Sequence, residues 1–213
     1  MWFAPYTCDL KPFLPEDWVQ QVNDVAATAP RVVSKPGPGS MTTANEGGGL
    51  DYLHHTADYL TEQLPWMGSL YETAIPILLE AALQEAYLPI GGAEGLSLNV
   101  LTNDSTRKGL EWHVDGPDVA CNLVLSNGNW NAATGGRFLA HDGRTLTEYE
   151  ITAGVGLVVP TGKLPHSVEP LQVDGPRVTM MFAYTTEQLR AAHASDREAQ
   201  NRYNAGALQD VTL

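Results

Sequence analysis

From residue 95 onward, the chain is a series of short apolar runs separated by turns, and this feature constrains the fold most. The runs are rich in β-branched and aromatic residues, and Gly, Pro, Asn and Asp are common between them. Eight such runs follow one another: LSLNVLT, LEWHVD, ACNLVLS, GRFLAH, TEYEIT, VGLVVP, HSVEPL and RVTMMFAYT. Eight short strands in about 90 residues predict an antiparallel sandwich or barrel.

The first 90 residues show helical patterns instead. The run EDWVQQVNDVAATA places its apolar residues on one helical face, and acidic residues favour its N-terminal end. Two further helices are predicted over 55–64 and 69–87, and Pro76 is expected to start or kink the second. The Gly-, Pro- and Ser-rich segment 34–49 predicts a loop that is either a lid or a linker.

No change of composition divides the chain, and 213 residues with 43% hydrophobic content are enough for one core. We therefore predict a single domain over 1–213, mainly β with flanking helices. Its parts are a helical region over 1–90, a β core over about 95–185, and a C-terminal helix over 186–205.

Charge and composition exclude several classes of function. With 12 Lys+Arg against 25 Asp+Glu, the net charge of −13 argues against nucleic acid and anionic lipid as partners. The sequence contains no run of about 18 apolar residues, so no membrane span is predicted. The start MWFAPYTCDLKPF lacks the pattern of a secretory signal. Cys8 and Cys121 lack the paired spacing of a zinc site, so reduced thiols in a cytoplasmic protein are expected, with a single bridge as the alternative.

A candidate metal site begins with His113 and Asp115. Residues two apart in a strand share a face, so both side chains can reach one point. The alternative is a hydrogen-bonded surface pair, because His-X-Asp also occurs by chance. His166, at the end of GVGLVVPTGKLPH, offers a third ligand from a separate strand. Two histidines and one carboxylate suit non-haem Fe(II) oxygenases, although zinc would also accept them.

A candidate anion site follows at Arg177 and Thr179 in the run GPRVTMMF. A guanidinium among apolar neighbours is costly unless an anion meets it, and its planar fork matches a carboxylate in two hydrogen bonds. A hydroxyl from Thr179 would complete such a pocket.

Together these segments resemble the Fe(II)- and 2-oxoglutarate-dependent oxygenases, and in pattern especially their prolyl 4-hydroxylase-like branch. The resemblance covers roughly residues 96–185 and rests on the order of its motifs. They are His113-X-Asp115, GGRFLAHDG (135–143), GVGLVVPTG leading to His166, and Arg177-X-Thr179.

The resemblance implies a double-stranded β-helix, the cupin-like jelly roll, with Fe(II) held by His113, Asp115 and His166. It also implies that Arg177, helped by Thr179, binds the distal carboxylate of 2-oxoglutarate. Enzymes of this family use O₂ to convert 2-oxoglutarate to succinate and CO₂, and hydroxylation of an unactivated C–H bond is their usual outcome.

The sequence departs from the family pattern in two places. A tyrosine that commonly contacts 2-oxoglutarate is missing from LSLNVLTNDSTRKGLEWH, where Asn99 or Thr102 is the candidate replacement. Arg137 stands where the family often has a glutamate. Asp115 itself is present, which disfavours halogenation, because halogenases of this superfamily replace that carboxylate with a small residue.

Four functions compete on this basis. The favoured one is hydroxylation of a small molecule, an amino acid or peptide-like metabolite. The alternative with the same chemistry acts on a prolyl or other residue of a protein. A non-catalytic alternative is a jelly-roll module that binds metal or ligand. A cupin-like metalloenzyme that does not use 2-oxoglutarate is a further alternative, and Arg177 and Asp115 disfavour it.

Other aromatic and histidine residues are assigned by context. Strand alternation turns Trp112 away from His113, so it is expected in the core. Trp130 lies in a Gly- and Asn-rich loop, where contact with substrate is the less favoured interpretation. The adjacent His54 and His55 precede a predicted helix and are expected to be solvated.

Overall fold

The computed structural model describes residues 3–28, 32–34, 50–53, 57–91, 95–103, 109–116 and 118–194, and the statements below concern these residues. Most of the loop predicted at 34–49 lies outside them, as do His54 and His55 and the chain beyond residue 194.

The described residues include twelve strands and five α-helices, numbered in chain order. The strands are β1 (Tyr6–Asp9), β2 (Val32–Ser34), β3 (Leu50–Leu53), β4 (Leu88–Pro89), β5 (Leu96–Leu101), β6 (Leu110–His113), β7 (Cys121–Ser126), β8 (Phe138–His141), β9 (Leu146–Tyr149), β10 (Val155–Val159), β11 (His166–Val168) and β12 (Arg177–Thr185). The helices are α1 (Trp18–Thr28), α2 (Ala57–Gln63), α3 (Pro65–Ser69), α4 (Ile75–Leu83) and α5 (Glu187–Ala192).

The strands form two antiparallel sheets. The major sheet has the order β1-β10-β7-β12-β5-β3-β2, with β4 also paired to β12, and the minor sheet has the order β6-β11-β8-β9. Strands β5 to β12 cross repeatedly between the two sheets, and β5, which begins the series, pairs with β12, which ends it. This is the winding of a jelly roll, so the predicted fold class is confirmed, and all eight predicted strands are present.

Strand alternation divides the major sheet into two faces. On β12, Val178, Met180 and Phe182 belong to the core cluster that includes the helices. The intervening Arg177 and Thr179 line the cavity between the sheets. The same alternation on β5 and β7 separates apolar residues that contact the helices from residues that face the barrel.

Helices cover the outer face of the major sheet. Helix α1 buries Trp18, Val22 and Val25, the face expected from its periodicity. The predicted helix 69–87 is shorter and divided, because a π-helical turn over Leu70–Ala74 precedes α4. Pro76 lies in the first turn of α4, directly after the π-helical turn. No described helix has both the length and the apolar character needed to cross a bilayer.

Four short strands in the first 90 residues were not predicted. Strand β1 pairs with β10 at one edge of the major sheet, while β2 and β3 extend the opposite edge. Strand β4 pairs with the end of β12. Each has only two to four residues. Such runs are too short to show a period, and their pairing partners are mostly distant in sequence.

The prediction for Trp112 was wrong. Its side chain is 45% exposed and makes an edge-on contact with His141, with ring centroids 6.5 Å apart. Alternation does turn Trp112 away from the barrel, but the described helices, which cover the major sheet, leave Trp112 on the outer face of the minor sheet exposed. Trp130, by contrast, is 7% exposed, belongs to the barrel core, and donates from Nε1 to Ser126 Oγ at 3.0 Å.

Candidate active site

The structure brings the three predicted metal ligands together. His113 ends β6 and His166 begins β11, and the two residues are directly paired across the minor sheet. Asp115 lies two residues beyond β6, with Oδ1 3.8 Å from His113 Nε2 and 3.9 Å from His166 Nε2. Their donor atoms all lie within 4.8 Å of one another, so small side-chain rotations allow one ion to contact all three.

The imidazole of His166 is held in an orientation suited to a metal. Its Nδ1–H donates to Leu164 O at 3.0 Å, which leaves the lone pair of Nε2 facing the site. Phe138 stacks on the ring, with centroids 5.2 Å apart and an interplanar angle of 15°. Burial lowers the pKa of His166 to about 4, only partly opposed by Asp115, so the ring is neutral at pH 7 and able to act as a ligand.

A cavity between the sheets connects the histidines to Arg177. It is mainly apolar, with a few polar groups along its wall. The cavity is lined by Asn99, Val100, Leu101, Leu110, His113, Val124, Phe138, Thr161, His166, Val168, Arg177, Thr179 and Met181. A concave apolar site with few convergent polar groups is the usual form of a small-molecule pocket.

Arg177 lies in this cavity without a carboxylate partner among the described residues. It is 2% exposed, and its Nη1 donates to Thr179 Oγ1 at 2.6 Å. Its Nε and Nη2 are buried and have no hydrogen-bond partner in the described part of the chain. Burial lowers the pKa of Arg177 to about 10, so the guanidinium remains charged at neutral pH. A buried charge of this kind requires an anion.

Asn99 lines the same cavity, directly opposite Thr179 in the pairing of β5 with β12. Its Nδ2 contacts Met181 Sδ at 2.7 Å, and its Oδ1 is buried without a partner among the described residues. Asn99 therefore lines the cavity that also contains Arg177 and Thr179, and its role as a replacement for the missing tyrosine stays a prediction. Thr102, the other candidate, is not among the residues that line the cavity.

Arg137, for which the sequence indicated no role, forms ion pairs on the minor sheet. Its Nε and Nη2 donate to both carboxylate oxygens of Glu169, each at 2.6 Å, and its Nη1 contacts Glu148. These contacts join strands β8 and β9 to the end of β11. Arg137 therefore already pairs with two carboxylates, whereas Arg177 has none among the described residues.

Gly136 supports the stem of Arg177, a role that sequence reasoning missed although its signal was the paired glycine in TGGRF. Gly136 has φ +71°, and a Cβ there would lie 2.8 Å from Leu171 Cδ2 and 3.1 Å from Arg177 Cδ. Gly143 has a similar φ of +91° but open space around its Cβ position. Substitutions at both positions would strain the backbone, but only a substitution at Gly136 would also crowd its neighbours.

We expect Gly136→Ala to lower the free energy of unfolding by about 1–3 kcal/mol more than Gly143→Ala. Both variants carry the strain of a positive φ, but only the first forces Leu171 and the Arg177 stem to move. Chemical denaturation of both proteins measures the difference. Equal losses would show that the space around Gly136 does not matter.

No protein-family model and no curated protein matches the sequence significantly. Many solved structures do match. The epimerase SnoN, solved in complex with Fe3+, alpha ketoglutarate and nogalamycin RO, has a TM-score of 0.62 at 13% identity, over 85% of this chain and 78% of that one.

Two other matches have similar quality. An oxidoreductase of the 2OG-Fe(II) oxygenase family from Burkholderia pseudomallei gives a TM-score of 0.56 at 14% identity, covering 85% of this chain and 84% of that chain. A prolyl hydroxylase from Trichoplax adhaerens, in complex with a hypoxia inducible factor peptide fragment, gives a TM-score of 0.59 at 16% identity. This match covers 88% of this chain and 86% of that chain. The chain therefore has the jelly-roll fold of the Fe(II)- and 2-oxoglutarate-dependent oxygenases.

Proposed function

We propose that the protein is an Fe(II)- and 2-oxoglutarate-dependent dioxygenase that hydroxylates an unactivated C–H bond. The observation that carries this proposal is the set of side chains that line one cavity. Two imidazoles, converging with a carboxylate, line the same cavity as a buried guanidinium whose Nε and Nη2 have no partner among the described residues. A metal ion and a carboxylate ligand would satisfy both sets of groups.

Arg177 is the group proposed to bind the distal carboxylate of 2-oxoglutarate. The described wall of the cavity offers the guanidinium no anion, so a dicarboxylate that enters would neutralise it and accept its hydrogen bonds. Thr179 holds Nη1 in place through its hydroxyl, and Asn99 adds an amide on the neighbouring strand. The apolar walls exclude water and strengthen these charge interactions.

The donor set fits iron. His113, Asp115 and His166 provide two nitrogens and one oxygen from one side, the set that non-haem Fe(II) oxygenases use while leaving positions for cosubstrate and O₂. When bound, Fe(II) with O₂ and 2-oxoglutarate supplies the oxidising chemistry that inserts one oxygen atom into a C–H bond, with succinate and CO₂ as coproducts. The chain's own residues hold the metal, orient the cosubstrate and exclude water.

For the substrate we propose a small molecule, an amino acid or peptide-like metabolite. The net charge of −13 disfavours nucleic acid. Among the structural matches, SnoN was solved with nogalamycin RO, and the Trichoplax adhaerens enzyme was solved with a peptide fragment. The second match makes a protein-bound prolyl or other residue the alternative substrate of the same site.

Anaerobic titration tests the proposed reaction class. Adding Fe(II) and 2-oxoglutarate together is expected to produce a weak visible charge-transfer band that neither addition produces alone. A protein that binds metal but never shows the band would be a binding module or another metalloenzyme. Succinate release measured across a panel of amino acids and short peptides then identifies the substrate class, with release only from protein substrates favouring the alternative.

A further inference from the structure

Asp115 differs from the two histidines in how the fold holds it. His113 and His166 are strand residues of the minor sheet, whereas Asp115 lies in the loop after β6. The side chain of Asp115 is 17% exposed, against 5% for His113 and 2% for His166. A loop carboxylate needs additional contacts if it is to keep a fixed position.

Those contacts come from the major sheet. Asn122 on β7 donates from Nδ2 to Asp115 Oδ2 at 2.5 Å and to Thr161 Oγ1 at 3.0 Å. The backbone N–H of Asp115 donates to Thr161 O at 3.0 Å. Asp115, Asn122 and Thr161 therefore form a closed ring of hydrogen bonds. Asn122 is 2% exposed and Thr161 is fully buried, so the two residues that contact Asp115 have little access to water.

We propose that Asn122 is a positioning residue of the metal centre. Its amide binds Oδ2 of Asp115, while Oδ1 is the oxygen that stands 3.8 and 3.9 Å from the two histidine nitrogens. Oδ2 is thereby held by a hydrogen bond within the protein, and Oδ1 is left to bind the metal. This inference rests on the proposed function, since it assumes that the three ligands bind an ion.

The orientation of the amide follows from its surroundings. If the nitrogen and oxygen of Asn122 were exchanged, its oxygen would face the carboxylate of Asp115, and two acceptors would oppose each other. In the orientation observed, Oδ1 of Asn122 is left buried without a partner in the described part of the chain. The bond to Asp115 therefore sets the orientation, even at the expense of an unsatisfied acceptor.

Metal affinity without turnover tests the role of Asn122. We expect Asn122→Ala to weaken Mn(II) binding about 10- to 100-fold, the usual effect of removing a hydrogen-bond partner of a metal ligand. Asn122→Asp, which keeps the size of the side chain but places a second carboxylate against Asp115, should weaken it further. Ser126→Ala is the matched control, because Ser126 is a buried polar residue of β7 that bonds to Trp130 and Val178 instead.

Electron paramagnetic resonance measures the concentration of free Mn(II) in each titration, and thermal denaturation shows whether each variant is folded. If Asn122→Ala and Asn122→Asp bind Mn(II) as tightly as Ser126→Ala, Asn122 is only a core residue and the inference is overturned. If Asn122→Ala fails to fold, Asn122→Asp alone decides. Loss of affinity in Asp115→Ala but not in the Asn122 variants would overturn this inference while leaving the proposed metal site intact; unchanged affinity in Asp115→Ala would overturn both.

Discussion

Arg177→Met is expected to raise the 2-oxoglutarate concentration needed for half-maximal turnover by about 30- to 4,000-fold, while Mn(II) affinity stays unchanged. The range corresponds to loss of a buried charged hydrogen bond, about 2–5 kcal/mol, at about 1.4 kcal/mol per tenfold change. Methionine keeps the apolar bulk of the side chain, so the cavity wall should remain packed. Steady-state kinetics with varied 2-oxoglutarate measures the effect.

The same substitution should leave the ligand-free protein as stable as before, or more stable. A buried guanidinium without a carboxylate is a cost in the folded state, and methionine removes it. Because the folded pKa of Arg177 is lowered to about 10, below its unfolded value, the cost is fully present at neutral pH. It is relieved as the pH rises through 10, so the stability gain in Arg177→Met should shrink at alkaline pH.

Arg137→Met is the matched control for Arg177→Met. Arg137 is paired with Glu169 and Glu148 on the minor sheet, so its loss should reduce stability without changing the 2-oxoglutarate requirement. The assignment of Arg177 fails if its substitution leaves that requirement unchanged, or if Arg137→Met raises it equally.

His166→Ala is expected to weaken Mn(II) or Fe(II) binding by more than about 100-fold, because losing even the hydrogen-bond partner of a ligand costs 10- to 100-fold. The visible band with Fe(II) and 2-oxoglutarate should disappear. His166 is 2% exposed, is oriented by Leu164 and Phe138, and lies directly opposite His113, so no described side chain stands ready to replace it.

His141→Ala controls for loss of a histidine from the same sheet. His141 ends β8 and lies outside the barrel, where it contacts Trp112 and accepts a hydrogen bond from Gly143 N. It should bind Mn(II) like the unmodified protein. Wild-type metal affinity in His166→Ala would remove His166 from the site, and with it the proposed function.

Much of the fold was predictable because strand patterns are local. All eight predicted strands of the jelly roll are present, since each combines apolar residues with flanking turn residues. Alternation also correctly placed Arg177 and Thr179 on one face of β12. The strands β1 to β4 escaped prediction, because their stability depends on sheet edges supplied by β10, β5 and β12.

The chemically active residues of the candidate site could be predicted from the sequence, but the residues that hold Asp115 in place could not. Histidine, carboxylate and arginine are rare in apolar strands, so His113, His166 and Arg177 stand out in the sequence. The sequence gives no local reason to place Asn122 or Thr161 beside Asp115. Their contacts with Asp115 join three segments that are separated in the chain.

By itself, the sequence determined the eight strands of the jelly roll and which of their functional groups face the inside of the barrel, because side-chain alternation is a property of each strand alone. The tertiary structure decided what meets those groups. It exposed Trp112, left two nitrogens of Arg177 without a partner in the described chain, and assigned one oxygen of Asp115 to Asn122. These outcomes depend on how the two sheets pack against each other and against the helices, and no local pattern encodes that arrangement.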